Sequence, residues 1–164
     1  MNSIQTGVKV GLYNLTFLGY DHAMLRQAPV ETVMEDYPVK ISVIIPMYNE
    51  EGNAPDTIAR VEKLLQGTGE PFEIIPVNDG STDHTLDILD EISSRDPHVR
   101  VVSYWKNGGR GKAIRYGFKA ARGRYIVTID ADLSYDPEYI IQMAHVLDEE
   151  SDIDIVLVSP YMEG

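Results

Sequence analysis

The chain has 164 residues, a net charge of −12, 43% hydrophobic and 24% charged residues, and no cysteine. This length fits one domain, and a composition near the globular average excludes wholesale disorder. The lack of cysteine excludes disulfides, a thiolate zinc site and a thiol nucleophile. Its apolar runs are far shorter than the roughly 18 residues of a membrane span, and the acidic balance disfavours nucleic acid as a partner.

The first 39 residues have no clean hydrophobic period and no motif that indicates a function. We predict a leader of unassigned role here, with a short strand near residues 8–12 and a helical turn near residues 30–34. The pattern changes at Lys40, where buried-strand and amphipathic-helix signals begin to alternate. Residues 40–164 are therefore predicted to form the folded domain.

Five strands and four helices are predicted in alternation from residue 40 onward. The strands are residues 41–46, 72–77, 99–105, 124–129 and 153–159; the helices are residues 55–66, one after the turn at 79–83, one after the glycine-rich loop at 107–111, and 136–147. Such alternation predicts βαβ units and a doubly wound, mainly parallel α/β sheet. In the third helix we expect Ile114, Phe118 and Ala121 to face the sheet.

Four acidic residues follow predicted strands, at Glu50, Asp79, Asp130 and Asp132. Open parallel sheets bind their ligands at the carboxyl ends of the strands, near the point where the strand order reverses. We therefore expect strand order 3-2-1-4, counted along the predicted strands, because it places Glu50 and Asp130 across one crevice.

The first candidate motif is Asp130-Ala131-Asp132, directly after the fourth strand. Two carboxylates separated by one residue can bind one hard divalent cation such as Mg²⁺ or Mn²⁺, which also takes substrate phosphates. An Asx-rich turn that caps the next helix explains the same residues. Both interpretations stay open at this point.

The second candidate is the loop Asn107-Gly108-Gly109-Arg110-Gly111-Lys112. Glycines allow close backbone approach, and a basic helix N-terminus favours an anionic group, whereas a flexible turn is the simpler alternative. The basic loop and helix hold seven of the 14 basic residues, between residues 106 and 124, with no acid. The helix face formed by Lys112, Arg115, Lys119 and Arg122 is predicted to be a solvated face or a contact with anionic lipid.

Two further patterns are assigned structural roles. The Asp79-Gly80-Ser81-Thr82-Asp83 turn is typical of a helix start with acids in its first turn. The four histidines, at residues 22, 84, 98 and 145, have no metal-ligand spacing to one another. We interpret them as surface or satisfied, partly buried residues. A Gly-x-Ser-x-Gly elbow is missing, which argues against serine-triad hydrolysis.

Four ordered motifs together resemble family-2 glycosyltransferases with the GT-A fold, above all the polyprenyl-phosphate group that includes dolichyl-phosphate mannose synthases. They are Val-Ile-Ile-Pro-Met-Tyr-Asn-Glu at residues 43–50, Val-Asn-Asp-Gly-Ser-Thr-Asp at 77–83, Asn-Gly-Gly-Arg-Gly at 107–111, and Asp-Ala-Asp-Leu at 130–133 with Pro137-Glu138. The resemblance runs from about residue 40 to residue 164 and leaves out the leader.

The resemblance implies a Rossmann-like GT-A donor-binding domain and a role for each matching position. The nucleotide pocket is lined by Pro46, Tyr48 and Glu50, and the base is contacted by Val77 and Asp79. The basic loop has Arg110 where the family usually has lysine. The Asp-x-Asp motif consists of Asp130, Ala131 and Asp132. The two aspartates are the implied catalytic and metal-binding residues.

The implied activity is that of a metal-dependent, inverting sugar transferase. The donor is a UDP- or GDP-sugar, the acceptor a polyprenyl (dolichyl) phosphate or a glycan, and the cofactor Mg²⁺ or Mn²⁺. The implied location is cytoplasmic, at the cytoplasmic face of a membrane with peripheral contact. The family's acceptor-binding half is not found before Gly164, so we expect a C-terminally truncated domain that binds donor but transfers little sugar.

Three alternative functions compete with this one. A catalytically incomplete nucleotide-sugar-binding module stays open, because the acceptor half is not in the sequence. A nucleotidyltransferase normally carries a glycine-rich basic signature after its first strand, where this chain has Asn49-Glu50-Glu51. A receiver-type phospho-acceptor switch needs an aspartate after its third strand, where this chain has Trp105-Lys106.

Overall fold

The computed structural model describes residues 5–6, 37–150 and 152–158 of the chain. In chain order the elements are β1 (Gln5–Thr6), β2 (Val39–Met47), α1 (Ala54–Gln66), β3 (Phe72–Asp79), α2 (Thr85–Arg95), β4 (Val102–Tyr104), α3 (Arg110–Ala120), β5 (Gly123–Thr128), α4 (Glu138–Glu149) and β6 (Val156–Leu157). The leader strand and turn predicted at residues 8–12 and 30–34 lie outside the described residues.

Four strands form a parallel sheet in the order β4-β3-β2-β5. In the predicted numbering this is the order 3-2-1-4, so the prediction of an α/β fold with that order is confirmed. The two central strands consist mainly of β-branched and other apolar residues, and β3 is buried along its whole length. Because β2 and β5 are neighbours, the chain segments that follow them, which carry Glu50 and Asp130, begin side by side at the carboxyl end of the sheet.

The sheet is covered by helices on both faces. Val43 and Ile45 of β2 point into a large apolar cluster that includes buried residues of α1, α2 and α4. Ile44, on the opposite face of the same strand, packs with Ala113 of α3. Apolar residues on both faces of residues 43–45 are what a sheet with helices on both sides requires.

The inner face of α3 differs from the prediction. Ala113 and Gly117 are its buried residues, whereas Phe118 is 44% exposed and Ile114 is partly exposed. A Cβ atom on Gly117 would collide with the side chain of Ile44. The helix approaches β2 so closely that only small residues fit between them, and the larger apolar side chains are therefore displaced from the contact.

Two predicted strands are shorter than expected. The third predicted strand, residues 99–105, corresponds to β4 plus an isolated bridge between Val99 and Ile74. The fifth, residues 153–159, is reduced to the two residues of β6, and Ser159 lies outside the described residues. Strand β6 pairs antiparallel with β1 in a separate two-stranded sheet and does not extend the parallel one. A short apolar run predicts a strand but not its partner, because pairing is decided by tertiary contacts.

The amino ends of the strands are joined through the buried carboxylate of Glu73, which is 1% exposed. It accepts hydrogen bonds from Ser42 Oγ (2.7 Å), the Arg122 backbone N–H (2.8 Å), the Arg122 side chain (2.8 Å) and Arg100 (2.5 Å). Burial on its own raises the pKa of Glu73, but these hydrogen bonds outweigh burial and the pKa is lowered. Arg122, predicted on a solvated or lipid-binding face, is therefore a partner of a buried acid.

Candidate nucleotide-sugar site

The loop after β2 is tied to the loop before α2 by hydrogen bonds. Asn49 has φ = 56°, and its side-chain oxygen accepts a hydrogen bond from the Thr82 N–H at 2.8 Å. The Glu50 N–H donates to Thr85 Oγ1, also at 2.8 Å. Asparagine is one of the few residues that tolerate a left-handed backbone, so this residue type suits the sharp turn at the strand end.

The predicted nucleotide-pocket residues occupy different depths in this region. Pro46 and Val77 are register partners in neighbouring strands, and Val77 is fully buried on the α3 side. Tyr48 is exposed, and the Glu50 carboxylate accepts a hydrogen bond from the Asn53 amide at 2.7 Å. Tyr48 and Glu50 thus present side chains at the strand end, whereas Val77 packs in the core.

Asp79 holds the glycine-rich loop in place. Its side chain is buried, and its two carboxylate oxygens accept hydrogen bonds from the backbone N–H groups of Gly108 and Gly109, each at 2.7 Å. The next residue, Gly80, has φ = 68°, and a Cβ atom there would lie 2.6 Å from the Asn107 nitrogen. The end of β3 therefore sets the position of the loop directly, beside the role in base binding that the family resemblance implies.

The glycine-rich loop continues into α3 with basic side chains at its start. Lys112 Nζ lies 3.8 Å from the centre of the Tyr104 ring and donates to the Lys106 carbonyl at 3.3 Å. Burial, and next the nearby Asp79 carboxylate, raise the pKa of Tyr104, which keeps the phenol protonated. Lys112 is therefore folded back onto the loop, which corrects its prediction as part of an open basic face.

The Asp130-Ala131-Asp132 segment forms a constrained turn after β5. Ala131 is buried, and its carbonyl accepts a hydrogen bond from Thr57 Oγ1 in α1. Leu133 has φ = 51°, an uncommon conformation for a residue with a branched side chain. Strained backbone of this kind needs surrounding contacts to hold it, and it is often found at functional sites.

The acidic turn and the basic loop meet in one ion pair. Arg110 Nε donates to Asp130 Oδ1 at 2.9 Å, and the Asp130 side chain is 43% exposed. Hydrogen bonds from the hydroxyl and the N–H of Ser134 lower the pKa of Asp132, which keeps that carboxylate ionised. Two accessible carboxylates on one short turn, beside a guanidinium, form a donor set that suits a hard divalent cation together with a diphosphate.

Three residues that position the site have no role in the sequence-based prediction. Asn49 shapes the first loop, Thr57 holds the Ala131 carbonyl, and Tyr104 lies under Lys112. Asn49 carries a detectable signal, since an asparagine directly after a buried strand is typical of a turn with positive φ. Thr57 carries none, because its contact with Ala131 joins segments distant in sequence, and Tyr104, eight residues before Lys112, has no motif that marks it.

Comparisons with known proteins agree with this geometry. The family model described as Glycosyl transferase family 2 matches residues 42–163. The dolichol-phosphate mannosyltransferase of Pyrococcus furiosus is 40% identical over 126 residues, which cover 77% of this chain and 34% of that protein. The undecaprenyl-phosphate 4-deoxy-4-formamido-L-arabinose transferase of Pseudomonas paraeruginosa is 40% identical over 109 residues, which cover 65% and 32%. The chain thus spans about a third of the length of these relatives.

Solved structures with the same fold include two that contain nucleotides. Glucosyl-3-phosphoglycerate synthase from Mycobacterium tuberculosis, in complex with Mn²⁺, UDP and glucosyl-3-phosphoglycerate, matches with a TM-score of 0.53 and 28% identity over 67% of this chain and 40% of that one. S. aureus TarS with UDP-GlcNAc matches with a TM-score of 0.53 and 29% identity over 69% and 32%. The four-stranded GT-A sheet, the ordered motifs and the family match lead to one conclusion: this chain belongs to glycosyl transferase family 2.

Proposed function

We propose that this chain is the donor-binding part of an inverting glycosyltransferase that moves a sugar from a UDP- or GDP-sugar to a polyprenyl phosphate. The observation that carries the proposal is the ion pair between Arg110 and Asp130 at the carboxyl end of the sheet, two residues before the exposed Asp132. The identity of about 40% with two polyprenyl-phosphate sugar transferases supports the acceptor class. A glycan acceptor is the alternative that the assay below distinguishes.

In this proposal Asp130 and Asp132 hold a divalent cation, Mg²⁺ or Mn²⁺, against the donor diphosphate. The bound cation supplies Lewis-acid neutralisation of the charge that develops on the diphosphate as the sugar leaves. Arg110 and the N–H groups at the start of α3 add positive potential on the same side. A phosphate acceptor is already ionised, so the acceptor needs no general base.

Calorimetry with UDP and GDP, in the presence of Mn²⁺ or Mg²⁺ and then with a chelator, tests donor binding directly. Replacing Asp132 with Asn is expected to weaken metal-dependent binding by about 1.5–3 kcal/mol, or roughly 10- to 150-fold, because a charged contact is lost. Asp90→Asn, on the exposed side of α2, is the matched control and is expected to have no effect. Metal-independent binding, or unchanged binding by Asp132→Asn, contradicts the proposal.

Transfer needs a separate assay, since binding alone also fits a catalytically incomplete nucleotide-sugar-binding module. The assay compares residues 1–164 with a longer chain of this protein, using polyprenyl phosphate and a soluble glycan as acceptors. We expect donor binding by both chains and transfer to polyprenyl phosphate by the longer one, because donor and acceptor must be held within about 3–3.5 Å for reaction. Donor binding without transfer to either acceptor by the longer chain favours the binding module.

We further propose peripheral contact with the cytoplasmic face of a membrane. No helix in the described ranges has the length and apolar character needed to cross a bilayer. The exposed side of α3 carries Arg115, Phe118 and Lys119, and Trp105 is 90% exposed in the segment before the glycine-rich loop. Aromatic and basic side chains together favour anionic lipid surfaces. Sedimentation with anionic vesicles, but not with neutral ones, is expected; equal recovery with both contradicts the proposal.

A further inference from the structure

A second cluster of ligand-type side chains lies away from the nucleotide-sugar site. It consists of Glu62 in α1, Asp96 at the C-cap of α2 and His98 just before the Val99 bridge. One potential ligand atom from each residue lies within 4.8 Å of the other two. Glu62 is eight residues, or about 12 Å, from the start of α1, and α2 also runs away from the site. The cluster is therefore near the amino end of the sheet.

Two of the three side chains are preset by a tight turn. Asp96 Oδ1 accepts a hydrogen bond from the His98 N–H at 2.8 Å and lies 3.0 Å from His98 Nδ1. The Val99 N–H donates to the Asp96 carbonyl at 3.1 Å, with Pro97 inside the turn. The His98 ring also stacks on Phe72, with centroids 4.5 Å apart and planes within 13°. Side chains ordered in this way lose little entropy when they bind a ligand.

The carboxylates of Asp96 and Glu62 lie close together, with one oxygen of each within 4.8 Å of the other. Asp96 Oδ2 is buried and receives no hydrogen bond from the described part of the chain. One oxygen of Glu62 is oriented by the Gln66 amide at 2.6 Å. Two neighbouring carboxylates need a proton or a cation between them.

We propose that Glu62, Asp96 and His98 form a second metal site, separate from Asp130 and Asp132, for a divalent transition metal of the zinc class. An imidazole nitrogen with two carboxylate oxygens suits Zn²⁺, whereas Mg²⁺ takes oxygen ligands. The three residues leave a coordination position for water, and His98 is half exposed, which provides an entry path. The bound ion cross-links α1 to the turn between α2 and β4, so its role is to stabilise the fold.

The test measures Zn²⁺ binding to the whole chain carrying Asp130→Asn and Asp132→Asn, which silences the proposed nucleotide-sugar site. We expect one Zn²⁺ per chain, a rise in melting temperature on Zn²⁺ addition, and no response to Mg²⁺. Glu62→Gln and His98→Gln are each expected to weaken Zn²⁺ binding by at least about tenfold, since even outer-shell changes at metal sites cost about 10- to 100-fold. The matched control is His145→Gln, whose exposed imidazole lies 3.1 Å from the single carboxylate of Glu149.

A second measurement uses the unmodified chain, so its result does not depend on whether a variant folds. In the unmodified chain, Zn²⁺ is expected to shift the ring ¹⁵N and ¹H resonances of His98 and to leave those of His145 in place. The absence of Zn²⁺ binding, or binding that His98→Gln leaves intact, overturns the proposal. Because Zn²⁺ binding is measured on the Asp130/Asp132 double variant, and the resonance shifts are read at the His98 ring itself, failure here is distinguishable from failure of the nucleotide-sugar site.

Discussion

The two ends of the sheet use the same chemistry, an arginine beside a carboxylate, in opposite ways. At the amino end, Glu73 is buried and receives hydrogen bonds from Arg100, Arg122 and Ser42, so that the protein itself satisfies the charge. At the carboxyl end, Asp130 is partly exposed and forms an ion pair with Arg110 through the Nε atom. The first arrangement stabilises the fold, and the second leaves lone pairs available to a ligand.

This difference follows from where the sheet lies in relation to solvent. A charge with 1% exposure must be neutralised within the protein, because burying it unpaired is very unfavourable. A half-exposed charge is stabilised by water, so a partner is optional and exchangeable. Breaking an arginine–carboxylate pair is therefore expected to have a large effect on stability at the amino end, and an effect on ligand binding at the carboxyl end.

The largest effect on stability is expected for Glu73→Gln. Loss of the buried charge breaks the pairing with both arginines and is expected to cost about 3 kcal/mol, near the lower limit for a broken buried pair because the arginines are partly exposed. Urea denaturation measures the change. Glu91→Gln, which breaks the exposed pair with Arg95, is the control and is expected to cost less than about 0.5 kcal/mol. Similar losses in both variants contradict the contrast.

Gly80→Ala tests the close backbone approach at the carboxyl end. A side chain at φ = 68° is strained, and its Cβ would also push the Asn107 backbone away. We expect a loss of about 2 kcal/mol in unfolding free energy, together with weaker nucleotide binding as the loop held by Asp79 shifts. Gly52→Ala is the matched control, because a Cβ there meets no atom within 4 Å. Nucleotide binding as tight as in the unmodified chain contradicts the proposed link between loop position and the site.

Tyr125→Phe tests a second contact at the amino end and its dependence on pH. Tyr125 Oη donates to Asp148 Oδ1 at 2.6 Å, and this hydrogen bond, followed by that from Lys40, lowers the pKa of Asp148. A lowered carboxyl pKa contributes stability that is present above the unfolded value of 3.8 and is lost as the pH falls through the folded value.

The variant is expected to cost about 1.5 kcal/mol near pH 7, the lower value for a hydrogen bond to a charged group. The difference from the unmodified chain is expected to shrink as the pH falls below 3.8, where Asp148 is protonated first in the unfolded chain and then, at its lowered pKa, in the folded chain. Unfolding free energies from urea titrations between pH 3 and pH 7 measure it. A difference independent of pH indicates that the tyrosine acts through packing alone.

Arg110→Gln is expected to have the smallest effect on the stability of the unliganded chain. Its effects on the binding of Mn²⁺ alone and on the binding of UDP with Mn²⁺ are expected to be opposite in sign. Removing the partner of Asp130 is expected to tighten Mn²⁺ binding alone by up to about 1 kcal/mol, since an exposed ion pair no longer competes. Binding of UDP with Mn²⁺ is expected to weaken, because the diphosphate loses a cation. Calorimetry measures both, with Arg115→Gln on the exposed side of α3 as the control. Changes of the same sign in both titrations contradict the exchange of partners at Asp130.

Much of the fold and the family could be predicted from local patterns. Strongly apolar runs with alternating helices indicated the parallel sheet, and acids after the first and fourth predicted strands indicated the strand order. The roles of Tyr48, Glu50 and Val77 in nucleotide binding stay predictions. Two predictions about packing were wrong. Residues 156–157 pair with Gln5–Thr6 instead of extending the parallel sheet, and Phe118 is exposed instead of facing the sheet.

The sequence by itself determined the alternation of strands and helices, the family, and the placement of the acids and the basic loop at one edge of the sheet. Each of these features depends on short segments of contiguous residues. Tertiary structure alone decided which side of α3 meets β2, since close approach selects Ala113 and Gly117 over larger residues. It also decided that Asp79 holds the glycine-rich loop and that His98 meets Glu62, although the histidines show no metal-ligand spacing among themselves. These contacts join residues about 30 to 70 positions apart in the chain, and only packing brings such residues together.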